Sequence, residues 1–154
     1  MRILVFSDTH GDISGCTHLL RTLPGIDMVL HAGDHAGDAK ALAALFPEIP
    51  VEYVRGNCDG DVTQLEKVVE VCGKQIFLTH GHLYRVKSDC EYSTLASKTK
   101  AEGYDLTVFG HTHLGYNNNF GRFLMLNPGS IKYGSTYGVV EIENGQLKTA
   151  LCSL

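Results

Sequence analysis

Asp8 and His10 stand two residues apart in Ser7-Asp8-Thr9-His10-Gly11, directly after the apolar run Ile3-Leu4-Val5-Phe6. The run reads as a buried strand. On an extended segment, positions i and i+2 point to the same side. A carboxylate and an imidazole aimed at one spot are half of a metal site. The other half is sought where the remaining apolar runs end. Met28-Val29-Leu30 leads into His31-Ala32-Gly33-Asp34, and Val51 to Val54 leads into Arg55-Gly56-Asn57-Cys58-Asp59. Gln75 to Thr79 leads into His80-Gly81-His82, and Leu106 to Phe109 into Gly110-His111-Thr112-His113. Each short pattern alone is common. As an ordered set at strand ends they gather Asp8, His10, Asp34, Asn57, His80, His111 and His113 as candidate ligands. In open α/β sheets, ligands bind beyond the carboxyl ends of the strands, so neighbouring strands would bring all seven to one rim.

The elements that must hold these residues alternate in the first half. Cys16, Leu19, Leu20 and Leu23 form one helical stripe, with Asp12 or Ser14 as the cap and Pro24-Gly25 as the stop. Asp38 is expected to cap a second helix carrying Leu42, Leu45 and Phe46, stopped before Pro47. Strand–helix alternation argues a parallel sheet built from βαβ units. In the second half, Lys67 to Val71 and Gln75 to Thr79 read as two strands joined around Gly73. Ser88 with Glu91 reads as a capping box opening a helix to about Glu102, with Tyr92, Leu95 and Ala96 inward. Hairpins follow: Asn117 to Gly121 separates two strands, and Asn127-Pro128-Gly129-Ser130 is a loop. Tyr137 to Ile142 is a strand, and Asn144-Gly145 turns into a last strand near Leu147 to Leu151. The expected architecture is α/β: a four-layer αββα sandwich of two mixed β-sheets flanked by helices, with residues 1–154 as a single domain.

The 154 residues are 44% hydrophobic and 19% charged, an ordinary globular balance. A net charge of −4 supplies no footprint for duplex nucleic acid and no polybasic membrane patch. No apolar run approaches the ~18 residues of a spanning helix, and the chain starts directly with a strand, without a visible signal peptide. Five cysteines without a CxxC pair suit reduced thiols and a cytoplasmic location. Cys16, Cys72, Cys90 and Cys152 are expected as small buried apolar residues. Four of the eight histidines lie in two tight pairs, His80 with His82 and His111 with His113, a compositional hint of metal chemistry. His31 is read as a core histidine, and His18 and His35 as solvated. Arg55, Arg85 and Lys87 are read as surface charge rather than phosphate contacts, and Ser130 as either a lining residue or a simple turn.

On the ordered motifs D-x-H, G-D, G-N-x-D, H-G-H and G-H-x-H, from Asp8 through to Asn127-Pro128-Gly129-Ser130, the chain resembles the calcineurin-like metallophosphoesterase superfamily. Within it the chain looks like the small stand-alone (YfcE-type) phosphodiesterase branch. The resemblance implies a two-metal site: Asp8, His10 and His113 on one cation, Asn57, His80 and His111 on the other, and Asp34 bridging. It also implies a role for Asn57-Cys58-Asp59, because many members carry His where this chain has Cys58. There the His, oriented by the Asp, protonates the leaving group. A thiol of ordinary pKa ~8.5 is a poorer acid for that task, and His82 is the candidate substitute, as acid or phosphate contact.

Two divalent ions ~3.5–4 Å apart need a shared carboxylate and a bridging hydroxide between them. With Asp8 and Asp34 they leave one net positive charge, which matches a phosphodiester's single negative one. Carboxylates and imidazoles suit manganese first, with iron, zinc, nickel or cobalt also compatible. The expected activity is hydrolysis of small phosphodiesters by attack of that hydroxide. The alternatives are a phosphomonoesterase or nuclease, or an interaction scaffold on the same fold, as in a retromer subunit. Self-association through exposed hairpin edges is a further expectation.

Overall fold

The computed structural model describes residues 1–60 and 62–154. Its first sheet has the order β10-β9-β1-β2-β3, and its second β4-β5-β6-β8-β7. In the first, β1 (Arg2–Phe6), β2 (Met28–His31) and β3 (Val51–Tyr53) run parallel. β9 (Thr136–Glu143) pairs antiparallel with β1 and with β10 (Gln146–Ser153). In the second, β5 (Lys74–Thr79), β6 (Leu106–Val108) and β8 (Leu124–Pro128) run parallel, with β4 (Glu66–Val71) and β7 (Gly115–Asn119) antiparallel at the edges.

Strand alternation explains the layers. Ile3 and Val5 of β1 face the second sheet and bury with Leu30, Leu78, Val108 and Leu126. Leu4 and Phe6 face the other way, against Cys16, Leu19 and Leu20 of α1 (Ser14–Thr22) and Leu42 of α2 (Ala36–Leu45). A third apolar layer joins Phe77 and Met125 of the second sheet to Leu95 of α3 (Ser93–Glu102). Three apolar layers between four structural ones make the expected αββα sandwich of two mixed sheets. A parallel strand covered on both faces is apolar throughout, which is why these runs were visible in the sequence.

Several local expectations are corrected. Asp38 lies inside the first turn of α2, whose N-cap is His35 in left-handed backbone. Asp38 Oδ2 instead accepts the Gly11 N–H at 2.8 Å. The Ser88–Glu91 capping box does not form: residues Cys90–Tyr92 make a separate 3₁₀ turn, and Glu91 has φ 56°. Asp89 caps α3 in its place, accepting from the Ser93 hydroxyl and the Thr94 N–H, both at 2.6 Å. Asn117 to Asn119 belong to β7, so the turn before β8 starts later than expected, and Asn127 and Pro128 close β8. Cys72 and Cys90 are exposed, at a strand turn and in the 3₁₀ turn, while Cys16 is buried and Cys152 half-buried. Among the described residues, no helix is long and apolar enough to cross a membrane.

Candidate metal centre

The donors do not sit on strands. β1 ends at Phe6, and Asp8 and His10 lie beyond it with φ 54° and 44°. Asp34, His111 and His113 are likewise left-handed, with φ 55°, 70° and 61°. Extended alternation is therefore not what aims Asp8 and His10 together. Each strand ends in a tight turn, and the turn aims the side chain. Left-handed backbone in residues other than glycine costs ~1 kcal/mol or more apiece and gathers at functional sites.

Those turns bring Asp8, His10, Asp34 and His113 together, with one donor atom from each within 4.8 Å of the others. His113 Nε2 lies 3.1 Å from Asp8 Oδ1, and His10 Nε2 lies 3.7 Å from Asp34 Oδ2. The Nε2 atoms of His10 and His113 face each other at 3.4 Å. On the far side of Asp34, His80 Nε2 is 3.3 Å from Oδ1. His111 stands edge-on to His80, with ring centroids 4.9 Å apart. Asn57 is exposed, its amide 3.5 Å from Cys58 Sγ, so its side chain stays within its own loop.

The supporting bonds leave donor atoms open. Asp8 Oδ2 accepts the Ser7 hydroxyl at 2.6 Å and the His111 N–H at 3.1 Å. Asp8 Oδ1 is buried without a hydrogen-bond partner, as is His80 Nε2. The opposite nitrogen of His80, Nδ1, donates to the Ala32 carbonyl at 2.7 Å, which leaves Nε2 as the lone-pair nitrogen. An imidazole oriented by a backbone carbonyl is the usual support of a metal-bound histidine. Buried polar atoms without partners are costly, and cations held on the two sides of Asp34 would satisfy them. The oxygen and imidazole donors present fit a divalent cation.

Charge placement agrees with the geometry. Burial pushes Asp34 up, but the His80 imidazole and the Cys58 amide outweigh it and hold the carboxyl well below the usual range. The Cys58 N–H donates to Asp34 Oδ1 at 3.0 Å. Burial lowers His10 against the pull of Asp34 and Asp8, and burial with the nearby His80 brings His111 down to about 4. Both imidazoles are thus neutral near pH 7, as ligation requires. Burial lowers His80, but Asp34 and Asp8 beside it more than reverse this.

The remaining candidates divide. His82 is half-buried, its ring 5.5 Å from His80, with Nδ1 buried and without a hydrogen-bond partner. Cys58 is exposed, and its thiol is pushed up by partial burial and by Asp34, away from an acid's range. Asp59 does not orient a proton donor. Its Oδ1 accepts the Ala36 N–H at 2.7 Å and its Oδ2 the Gly56 N–H at 2.8 Å, so it caps α2 and closes its own turn. Ser130 is buried and links two segments, donating to the Asp8 carbonyl at 2.8 Å and accepting the Tyr133 N–H at 3.1 Å. His31 is the expected core histidine, bonded to Thr9 Oγ1 at 3.1 Å and to the Gly33 N–H at 3.2 Å.

Sequence reasoning missed Ser7 and the close packing at Gly56 and Gly110. A Cβ on Gly56 would lie 2.0 Å from Asp34 Oδ1, and one on Gly110 2.0 Å from Ser7 Oγ. The glycine preceding Asn57 and the one preceding His111 were visible in the sequence, but not what pressed on them.

Residues 1–145 match the family model described as the calcineurin-like phosphoesterase superfamily domain. The chain is 32% identical to the probable metallophosphoesterase YsnB of Bacillus subtilis, covering 94% of this chain and 86% of the relative. It is 26% identical to the phosphodiesterase YfcE of Escherichia coli, over 85% and 79% of the two chains. A conserved predicted phosphoesterase from Streptococcus pneumoniae superposes with a TM-score of 0.79 at 28% identity, over 99% and 88% of the chains. Vps29 from Entamoeba histolytica, crystallised with zinc, shares the fold with a TM-score of 0.76 at 22% identity, over 99% of each chain. The donor cluster at the strand ends and these matches lead to one conclusion: the chain belongs to the calcineurin-like phosphoesterase superfamily.

Proposed function

We propose that this protein is a phosphodiesterase that holds two divalent cations, manganese first among them, and hydrolyses small phosphodiesters. The observation that carries the reading is Asp34. Its Oδ2 faces His10 at 3.7 Å and its Oδ1 faces His80 at 3.3 Å, so one carboxylate addresses two histidine groups. Asp8, His10 and His113 form one half of the proposed centre, and His80 and His111, with Asn57 brought in from its loop, form the other. When bound, such cations supply a hydroxide nucleophile near neutral pH and polarise the phosphoryl oxygens. The chain's own part is to fix the donors. Ser7 and the His111 amide lock Asp8, Ala32 locks the His80 tautomer, and the Cys58 amide locks Asp34. Beside this centre, His82 is the candidate leaving-group contact, since the raised Cys58 thiol is a weaker acid and Asp59 is engaged by backbone.

The test is release of p-nitrophenolate from bis-p-nitrophenyl phosphate with added Mn²⁺. Turnover is expected to vanish with chelator and to fall by roughly 100-fold or more in Asp34→Asn, at least the loss seen when groups supporting a metal are removed. Turnover surviving both Asp34→Asn and His80→Ala would refute the assignment. An interaction scaffold on the same fold is the competing reading, and failure to turn over with any divalent metal would favour it. The gathered donors, with Asp8 Oδ1 and His80 Nε2 buried and without hydrogen-bond partners, favour catalysis.

A further inference from the structure

Beside the His10–His113 edge of the centre stands a side chain that neither the motifs nor the proposed chemistry uses. Tyr133 is 63% exposed, yet it is not loosely held. Its ring stacks on His113 with centroids 5.4 Å apart and planes 19° apart, and lies 5.5 Å from His10. Its N–H donates to Ser130 Oγ, the same hydroxyl that donates to the Asp8 carbonyl. The Gly134 N–H returns to the Ser130 carbonyl at 2.8 Å. On the other side of the turn, Lys132 Nζ donates to the His10 carbonyl at 2.8 Å and lies 5.3 Å from the Tyr133 ring centroid. The turn is therefore tied to both donor residues of the first strand end. Packing against His113 needs only part of the ring, and nearly two thirds of the residue is left open to solvent. A large aromatic surface fixed at the mouth of a polar site is the usual form of a ligand-orienting wall.

We propose that Tyr133 is the platform on which an aromatic substituent of the phosphoryl substrate stacks, so that the site selects nucleoside or aryl esters over small alkyl ones. The assignment rests on the phosphoesterase reading above. A phosphoryl group held at the cation site of His10 and His113 would have its ester substituent next to the ring that flanks both. The open part of the phenol ring supplies stacking that tolerates any flat π-system.

The experiment is calorimetric titration of the Zn²⁺-loaded protein with phenylphosphonate and with methylphosphonate, whose C–P bonds the enzyme cannot hydrolyse. Phenylphosphonate is expected to bind about tenfold more tightly, in the range of one stacking contact. Tyr133→Ala and Tyr133→Leu should bring phenylphosphonate down to the methylphosphonate value and leave methylphosphonate within about twofold. Tyr133→Phe should keep the preference. Equal binding of the two ligands by the unmodified protein overturns the platform and leaves the phosphoesterase reading intact. Equal weakening of both by Tyr133→Ala also overturns it, because the ring then serves only to hold His113. Binding of neither phosphonate by the metal-loaded protein removes the phosphoryl site itself and the platform with it.

Discussion

The two oxygens of Asp34 face different histidines, His10 and His80, and the carboxylate is held in that pose from its own backbone and from the loop after β3. The Cys58 amide fixes Oδ1, and the left-handed backbone at φ 55° turns the side chain across the strand ends. Cys58 itself is a weak proton donor here, since partial burial and the Asp34 carboxylate both raise its thiol. Cys58→His would place an acid of ordinary pKa ~6.5 at the same exposed position. We expect roughly 10²-fold faster turnover of alkyl diesters, whose poor leaving groups need protonation, and little change on aryl diesters. Steady-state rates on paired alkyl and aryl substrates check this, and equal loss on both would count against a leaving-group role at that position.

At the scale of elements, the centre is made by turns packed against turns. The loop after β3 comes so close to Asp34, and the loop after β6 so close to Ser7 and Asp8, that Gly56 and Gly110 admit no side chain. Gly56→Ala would put a Cβ 2.6 Å from the Asp34 backbone nitrogen as well as against its carboxylate. We expect about 1–3 kcal/mol of destabilisation from such overpacking and at least a tenfold loss of metal affinity, read by thermal unfolding and by metal titration. Gly110→Ala, pressed against Ser7 Oγ and 2.8 Å from Asp8 Oδ2, should behave alike. Gly25→Ala has nothing within 4 Å, but its φ of +69° adds strain, so it should cost stability without touching metal affinity. Asp59 shows the same logic in another role, because a single carboxylate joins the loop after β3 to the start of α2.

For the whole molecule, the two sheets pack face to face and the turns after their strands meet at the donor cluster, so a cation held there binds the folded state alone. Saturating Mn²⁺ at about a hundred times its dissociation constant should add about 2.7 kcal/mol. For a domain of this size that raises the melting temperature by roughly 5–10 °C; differential scanning calorimetry with and without chelator measures it. Acid should act through His31. Burial lowers its folded pKa to about 4, while the unfolded chain takes up the proton near 6.5. The Gly33 N–H donates to Nδ1, so a second ring proton has no place there. Stability is therefore full above pH 6.5 and falls as the pH drops toward 4, by about 3 kcal/mol from this residue. His31→Gln should flatten the curve of unfolding free energy against pH over that interval in the metal-free protein. An unchanged slope would assign the acid sensitivity to other groups.

Much of this arrangement was legible in the chain. Ile3 to Phe6 and Ile76 to Leu78 are apolar without interruption because parallel strands covered on both faces have no solvent side, and Leu106 to Val108 is broken by Thr107, which is buried and bonded to the Thr99 hydroxyl. Asp8, His10, Asp34 and His113 were recognisable because cation ligands are few in kind and each followed such a run. What the chain alone left undetermined was aim. Backbone conformation at Asp8 and His10 is left-handed rather than extended, and both carbonyls are bonded by residues more than a hundred positions away, Ser130 on Asp8 and Lys132 on His10. The roles of Asp59, Asp89 and Ser130 likewise depend on which backbone amide or carbonyl lies opposite, and Tyr133 gains meaning only from the ring it stacks on. Residue type and order fixed which atoms were on offer. Because hydrogen bonds and close packing act between segments distant in sequence, only the folded chain decided which of those atoms stand free to hold a ligand.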